Sequence, residues 1–463
     1  MESRNIIESR LGGKVATLLL LGLLVFSTSS ARQLLTLQQF KDSARHNNIS
    51  LRNARRYIEA AGEQRKEAFT KYFPVVSGTG FWFNANKGMA QTSVTPSEVV
   101  PAQIGQTLAQ MMPAEVLTSL ASPITVSMMK NGTVAGIHAV QPIFAGGQIV
   151  NGNRLARVGE EVSRLQLRLS ENEVERQVEQ YYWQLVSLQE KLKTIDAVEA
   201  MLTDIHKDVE VAVRAGVAMP NDLMQVQLRQ NDIESQKLKL NNAVGIVKML
   251  MAQYCGLASP DFCIQEVIVG DSDEVSVPEP LPNDRQQALQ QLSEYQLLGK
   301  QVEAARIERC LAVGQNLPTV AIGAGYNYHN LLDNNHTFGM VFATFSLPIS
   351  DWWGGSHAIK RKKIAYQKAL DEQRDKAELL NIRMQRAWNN VVEARQQLDI
   401  ARRSIKQAEE NLRLNRDYYR AGTSKMSDLL EAQLLCQQAN DHHTDAFADL
   451  QNKLLEYRQS VGQ

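Results

Sequence analysis

Proline is absent between Pro142 and Pro220, and again after Pro348. Stretches of that length without a breaker, with apolar residues recurring every three or four positions, have one regular solution: long α-helices. Met384, Ala387, Val391, Ala394, Leu398, Ala401, Ile405, Ala408 and Leu412 form the clearest seam, in which large residues alternate with alanine. Leu51, Ala54, Ile58, Ala61, Arg65 and Ala68 keep the same spacing, as do Val178, Tyr181, Leu185, Leu188, Leu192 and Ile195, and then Leu202, Ile205, Val209 and Ala212. Such a seam specifies coiled-coil packing, and its alanines let neighbouring helices approach closely. A continuous helix over 148–214 would run about 100 Å at 1.5 Å per residue, longer than an ordinary globular domain is wide. The expectation is an elongated helical assembly.

Four other segments change period. Val320, Ile322, Ala324, Tyr326 and Tyr328 alternate with small or polar neighbours, the pattern of a strand. Segments 75–84, 133–141 and 338–347 also read as strands. Each is about ten residues long, near what a tilted strand needs to cross a bilayer. Phe81, Trp82, Tyr326 and Tyr328 are candidates for the membrane interfaces. No apolar run of helix-spanning length occurs beyond the N-terminus, which excludes a helical multi-span transporter but not strand insertion. At the N-terminus, Arg4, Arg10 and Lys14 precede an apolar run over 15–26, and small residues follow to Ala31. Residues 1–31 therefore read as a secretory signal cut after Ala31, without a following cysteine for lipid attachment.

The remainder contains two copies of one unit. The passage 58–74 returns at 302–318, an offset of 244: Glu59-Ala60-Ala61 becomes Glu303-Ala304-Ala305, and Arg65 becomes Arg309. Arg214-Ala215-Gly216 returns as Arg420-Ala421-Gly422 at an offset of 206, with Asp222 matching Asp428 and Gln227 matching Gln433. The first copy thus carries about 38 extra residues, placed within 85–130. The expected division is a first repeat over 32–256, a linker over 257–282 containing Pro260, Pro278, Pro280 and Pro282, and a second repeat over 283–463. Each copy reads helix, strand, loop, strand, very long helix, tight turn, helix. Two strands per copy give four per chain, too few to close a membrane barrel, whose smallest form has eight. An open sheet edge in lipid leaves backbone groups unsatisfied, so several chains must share one barrel and a lipid bilayer is an expected partner.

Fifty basic and fifty acidic side chains leave no net charge, which argues against a nucleic-acid partner. No catalytic constellation or phosphate-binding loop is found, and neither a cofactor nor a metal is expected. Asp441-His442-His443 reads as a solvated helix face, because adjacent histidines on a helix diverge. His206 has no second ligand at helical spacing, and Tyr181-Tyr182-Trp183 reads as interhelical packing. Met89, Met111, Met112, Met128 and Met129 in the insertion read as loop residues rather than metal ligands. Cys255 and Cys263, eight apart, permit a local disulfide in an oxidising compartment. Cys310 and Cys436 are expected as buried helix residues.

The doubled Arg-Ala-Gly turn, each with Asp six residues after the glycine, carries a family resemblance. Further pieces are the junctions Gln141-Pro142-Ile143-Phe144-Ala145-Gly146-Gly147 and Leu347-Pro348-Ile349-Ser350-Asp351-Trp352-Trp353-Gly354-Gly355, and the opening Leu35-Thr36-Leu37-Gln38-Gln39-Phe40. Over the whole mature chain the pattern resembles the outer-membrane efflux proteins, the TolC-like channel-tunnels. The resemblance implies an α+β membrane fold: a homotrimer sharing a twelve-stranded outer-membrane β-barrel, continued by a periplasmic α-helical barrel. It implies an exit channel of a tripartite efflux or type I secretion system, not an enzyme. The partners implied are a periplasmic membrane-fusion adaptor and an inner-membrane pump of RND, ABC or MFS type. Two other readings stay open, a periplasmic adaptor and a poreless coiled-coil envelope protein.

Residue by residue, Tyr419, Asp428 and Glu431 match the family's gating aromatic and acidic positions, and Asp222 is the first-copy counterpart of Asp428. The family's basic gating partner falls at Ser424, which cannot fill that role; Lys425 is adjacent. The first copy has Val213 and Gln225 where the second has Tyr419 and Glu431. The small tips Ala215, Gly216, Val217 and Ala218, and Ala421, Gly422, Thr423 and Ser424, are the expected adaptor-contact turns.

Overall fold

A computed structural model of the chain describes residues 33–95, 124–265, 285–331, 335–349 and 352–462. The signal segment, Met111, Met112, Pro278, Pro280, Pro282 and Asp351 lie outside the described residues. Exposures below are those of a single chain.

The elements, in order, are β1 (Gln33–Leu35), α1 (Leu37–Asn47), α2 (Ile49–Thr70), β2 (Val75–Asn84), β3 (Ala90–Val94), β4 (Ile124–Met128), β5 (Asn131–Ala145), α3 (Gln148–Arg214) and α4 (Pro220–Cys255). They continue with β6 (Phe262–Ile264), α5 (Arg285–Gln291), α6 (Ser293–Gly314), β7 (Thr319–Asn330), β8 (Asn335–Ser346), α7 (Trp352–Arg420) and α8 (Met426–Ser460). The chain divides into two compact units, each discontinuous in sequence. One comprises Ile58–Ser163 and Leu298–Gln373; the other comprises Arg164–Leu297, Arg374–Gln463 and the residues up to Tyr57. The long helices α3 and α7 each contribute residues to both.

The first unit is built on an antiparallel sheet of order β2-β5-β7-β8. Only β5–β7 joins strands from different halves of the chain, with Thr133 opposite Asn330 and Ala145 opposite Thr319. A register shift falls between Pro142 and Phe144. Proline has no N–H to donate, so a bulge there is the economical solution. Register assigns side chains to two faces. Ser77, Thr79, Phe81, Gly136, His138, Gly323, Gly325, Asn327, His336, Phe338, Met340 and Phe342 share one; Trp82, Ile137, Ile322, Tyr326, Tyr328, Val341 and Phe345 share the other. The first face is crowded: Asn327 is only 9% exposed, and a methyl added at Gly323 or Gly325 would meet the Phe342 or His138 ring. The second is open and apolar, with Tyr326 62% exposed. Around Asn327 and the glycines the first face is the more enclosed of the two.

Where strands pass into helices, the two halves interlock. Gly146 is left-handed at φ 60°, and a methyl on it would overlap the Gly314 carbonyl; one on Gly314 would overlap the Gly146 carbonyl. Around this crossing Asn153 Nδ2 donates to the Ala68 carbonyl at 2.8 Å, and Lys300 pairs with Glu161 at 2.6 Å. The insertion supplies a further hairpin, β3–β4.

The second unit is helical. The seam is realised: Met384, Ala387, Val391, Ala394, Leu398 and Ala401 are all buried on α7, as are Leu202, Ile205 and Val209 on α3. Around Tyr181 the buried face widens to include Tyr182, Trp183 and Val186, and Trp183 stacks edge-on with Phe447. The helix α1 starts with a capping box, the Gln39 N–H donating to Thr36 Oγ1 and the Thr36 N–H to Gln39 Oε1. This seats Phe40, which packs on Phe262 of β6 at 5.1 Å, while β1 and β6 pair in parallel. Beside it Lys41 pairs with Glu175 at 2.8 Å and with Glu179. Polar contacts join α4 and α8: Arg229 donates to Gln433 Oε1 at 3.0 Å and Gln437 Oε1 at 2.8 Å.

Three cysteine and histidine expectations are corrected. Cys255 and Cys263 are both free thiols. Phe262 and Ile264 point into the core, so the strand pleat turns Cys263 to the opposite side, away from the buried Cys255. Cys310 is exposed rather than buried. His443 is buried on α8 while His442 is exposed, so only part of that face is solvated. Among the described residues no helix is long and apolar enough to cross a membrane.

Candidate functional site: the helical turns

Both turns connecting the long helices close in the same way. Gly216 (φ 75°) and Gly422 (φ 71°) adopt the left-handed conformation. The N–H of Val217 reaches the Ala212 carbonyl at 3.0 Å and that of Gly216 the Val213 carbonyl at 3.0 Å; Thr423 to Tyr418 (2.9 Å) and Gly422 to Tyr419 (3.0 Å) repeat the pair. This is the Schellman closure, and it requires a residue without a Cβ penalty. Ala215, Val217, Ala421 and Thr423 are exposed, while Ala218 and Ser424 are half-buried.

The next helices begin on Met219 and Lys425, both extended. Neither offers a capping side chain, so the carboxylate three residues on does the capping. The Met219 N–H donates to Asp222 Oδ2 at 3.3 Å, and the Lys425 N–H to Asp428 Oδ2 at 3.2 Å. Asp428 also accepts from the hydroxyls of Ser424 (3.1 Å) and Ser427 (3.2 Å). The Lys425 N–H and then the Ser424 hydroxyl hold the Asp428 carboxyl below the ordinary aspartate range. Ser424 is therefore bonded to Asp428 by its hydroxyl.

Beneath the turns, Ile205, Val209 and Val226 of the first hairpin pack with Met426 and Leu429 of the second. Tyr419 lies against this cluster. Burial, and then the charges of Asp222 and Asp208, push its phenol upward. Tyr418, by contrast, is exposed. Glu431 and Lys425 are also exposed, one turn and no turn into α8. An open groove of ≈ 760 Å³ runs between the turns, lined by Asp204, Asp208 and Asp222 opposite Arg416, Arg420 and Lys425. Tyr419 and Asp222 thus meet at one site, while Asp428 and Glu431 face outward from it. The hydroxyl of Ser424 and the packing of Tyr419 carry no sequence signal beyond their spacing. Among the described residues no cluster of three or more His, Cys, Asp or Glu side chains is arranged to hold a metal.

Residues 285–463 match the family model of the outer membrane efflux protein. No curated protein is matched in sequence. Among solved structures, the outer membrane protein VceC of Vibrio cholerae superposes with a TM-score of 0.70 at 14% identity, over 92% of this chain and 96% of its own. The CmeC outer membrane channel of Campylobacter jejuni gives 0.72 at 14% identity, over 92% and 85%. The open state of the MtrE outer membrane channel of Neisseria gonorrhoeae gives 0.67 at 14%, over 92% and 88%. The chain has the fold of the TolC-like outer membrane channels, and its residues 285–463 are similar to the outer membrane efflux protein family.

Proposed function

We propose that the protein is the outer-membrane exit conduit of a tripartite efflux or type I secretion system, working as a homotrimer. The carrying observation is the four-stranded sheet. Its strands are 10 to 15 residues long, contain no Asp, Glu, Lys or Arg, and expose an apolar aromatic face. Among the described residues β2 and β8 each have one pairing neighbour. Unpaired edges in lipid cost several kcal/mol per backbone group. Three chains remove them by closing twelve strands into a barrel wide enough for a lumen. The more enclosed face, with Asn327, lines that lumen and the more open face, with Tyr326 and Val341, meets lipid.

In this reading 32–256 and 283–463 are two copies joined by 257–282, and the helices enclose a periplasmic tunnel. The tips 215–218 and 421–424 receive a membrane-fusion adaptor, and an RND, ABC or MFS pump supplies the energy. Asp428 and Glu431 form acidic rings at the tunnel mouth, with Tyr419 packed behind them. Transport is passive within this protein. Purification from outer membranes as a heat-modifiable trimer that forms ion-conducting pores in planar bilayers is the expected result. A water-soluble monomer without conductance refutes the proposal and favours an adaptor or a coiled-coil envelope protein.

A further inference from the structure

The sheet contains three histidines, His138 on β5, His329 on β7 and His336 on β8. All three lie on the face that carries Asn327. His329 is directly opposite His336, with ring centroids 5.3 Å apart, and His138 lies over Gly325. Val134 pairs with His329. His138 therefore sits four residues further along β5, about 13 Å away at 3.3 Å per residue. Asn84, Asn131, Asn330 and Asn335 close the end of the sheet nearest the His329–His336 pair.

Within the four strands no Asp, Glu, Lys or Arg accompanies them. On β2, β5, β7 and β8 the other ionisable side chains are Tyr326 and Tyr328, both on the opposite face. Lys87 and Lys130 lie beyond the ends of β2 and β5, and Asp333, Glu98 and Glu115 lie outside the described residues. Next to the pair, Asn327 Nδ2 is enclosed without a hydrogen-bond partner, as is His329 Nδ1. An amide N–H beside an imidazolium N–H is a donor set suited to an anion.

We propose that His138, His329 and His336 set the charge selectivity of the barrel lumen, which favours anions when their imidazoles carry charge. The inference rests on the trimeric conduit above, in which three copies bring nine imidazoles around one water-filled passage. Imidazole is the side chain whose charge changes between about pH 5 and 8. A passage lined by one sign of charge between low-dielectric walls concentrates the counter-ion. The tips carry Arg416, Arg420 and Lys425 beside their carboxylates, so the contribution of the tips is separated by the variant D428N/E431Q.

Reversal potentials across a KCl gradient, at pH 7.5 and pH 5.5, test this on the purified trimer. The chloride-to-potassium permeability ratio rises several-fold in the wild type at the lower pH. The variant H138N/H329N/H336N loses that rise, while D428N/E431Q keeps it. H329K/H336K, carrying a fixed charge, prefers chloride at both pH values and covers the case in which the asparagine variant does not assemble. A wild-type ratio that is the same at both pH values, or a rise that survives in the triple variant, overturns the proposal and leaves the conduit standing. Trimers that conduct nothing in any variant overturn both.

Discussion

Leu429 is 1% exposed in the cluster that clasps the two helical turns together. Leu429→Ala deletes three carbons there. At about 0.8 kcal/mol per buried carbon the transfer loss is about 2.4 kcal/mol, and an unfilled cavity places the total in the range of about 2–5 kcal/mol. The partners Ile205, Val209 and Val226 belong to the other hairpin. A mouth that opens by swinging one hairpin away from the other loses these contacts on opening, so the deletion penalises the closed state alone. At 1.4 kcal/mol per decade, 2.4 kcal/mol raises the open-to-closed ratio about 50-fold. Leu435, 46% exposed on the same helix, serves as the control, and Leu435→Ala should leave both gating and stability within about 0.5 kcal/mol of wild type. Single-channel recording reads the ratio, and thermal unfolding followed by helical signal confirms that the cavity was made. Lowered melting with unchanged closed dwell times would refute the reasoning, because the cluster would then persist in both states.

Lys41 and Glu179 are 12% and 7% exposed, so Lys41→Met should cost about 3–5 kcal/mol of stability, and K41M/E179M should recover most of it; thermal melting of the three proteins decides. Gly422→Ala meets open space and pays only the left-handed penalty of about 1–2 kcal/mol, whereas Gly146→Ala also collides with the Gly314 carbonyl and should abolish trimer assembly on gels. Asp428 has a folded-state affinity for protons below that of the unfolded chain, so its capping is complete above the unfolded range and fades as pH falls through the folded value. Amide-exchange protection in the second turn, taken relative to the intrinsic rate at each pH, should fall below about pH 4 in the wild type and stay constant in D428N. Burial raises the Cys255 thiol to about 12, so native protein at pH 8 should resist maleimide at Cys255 and react there only after unfolding.

Much of the fold was legible because its periods are long. The strand expected over 75–84 is Val75–Asn84, and those expected around 133–141 and 338–347 extend to Asn131–Ala145 and Asn335–Ser346. The alanine seam of α7 is buried from Met384 to Ala401, while Ile405, Ala408 and Leu412 are half-buried. Short and non-local features left no periodic trace. The β1–β6 pair rests on three residues a side, and the hairpin β3–β4 on five. The contacts of Arg229 with Gln433 and Gln437 join segments about two hundred residues apart. Cys255 and Cys263 looked close enough to bridge, but spacing says nothing about the pleat that separates them. At the turns, glycine and aspartate announced themselves through their backbone roles. The inward packing of Tyr419 depends on which way one helix faces another, which spacing alone does not encode.

The two halves of the sheet meet along the β5–β7 seam, where Thr133 pairs with Asn330. The first hairpin is synthesised long before its neighbour exists, since α3, α4, the linker and α6 all come between them. Throughout that interval an apolar ribbon presents unclaimed amides to whatever is nearby, the condition in which strands recruit wrong partners. The length of this vulnerable wait is written into the topology, so dependence on escorts during export follows from the order of the strands and not from their greasiness.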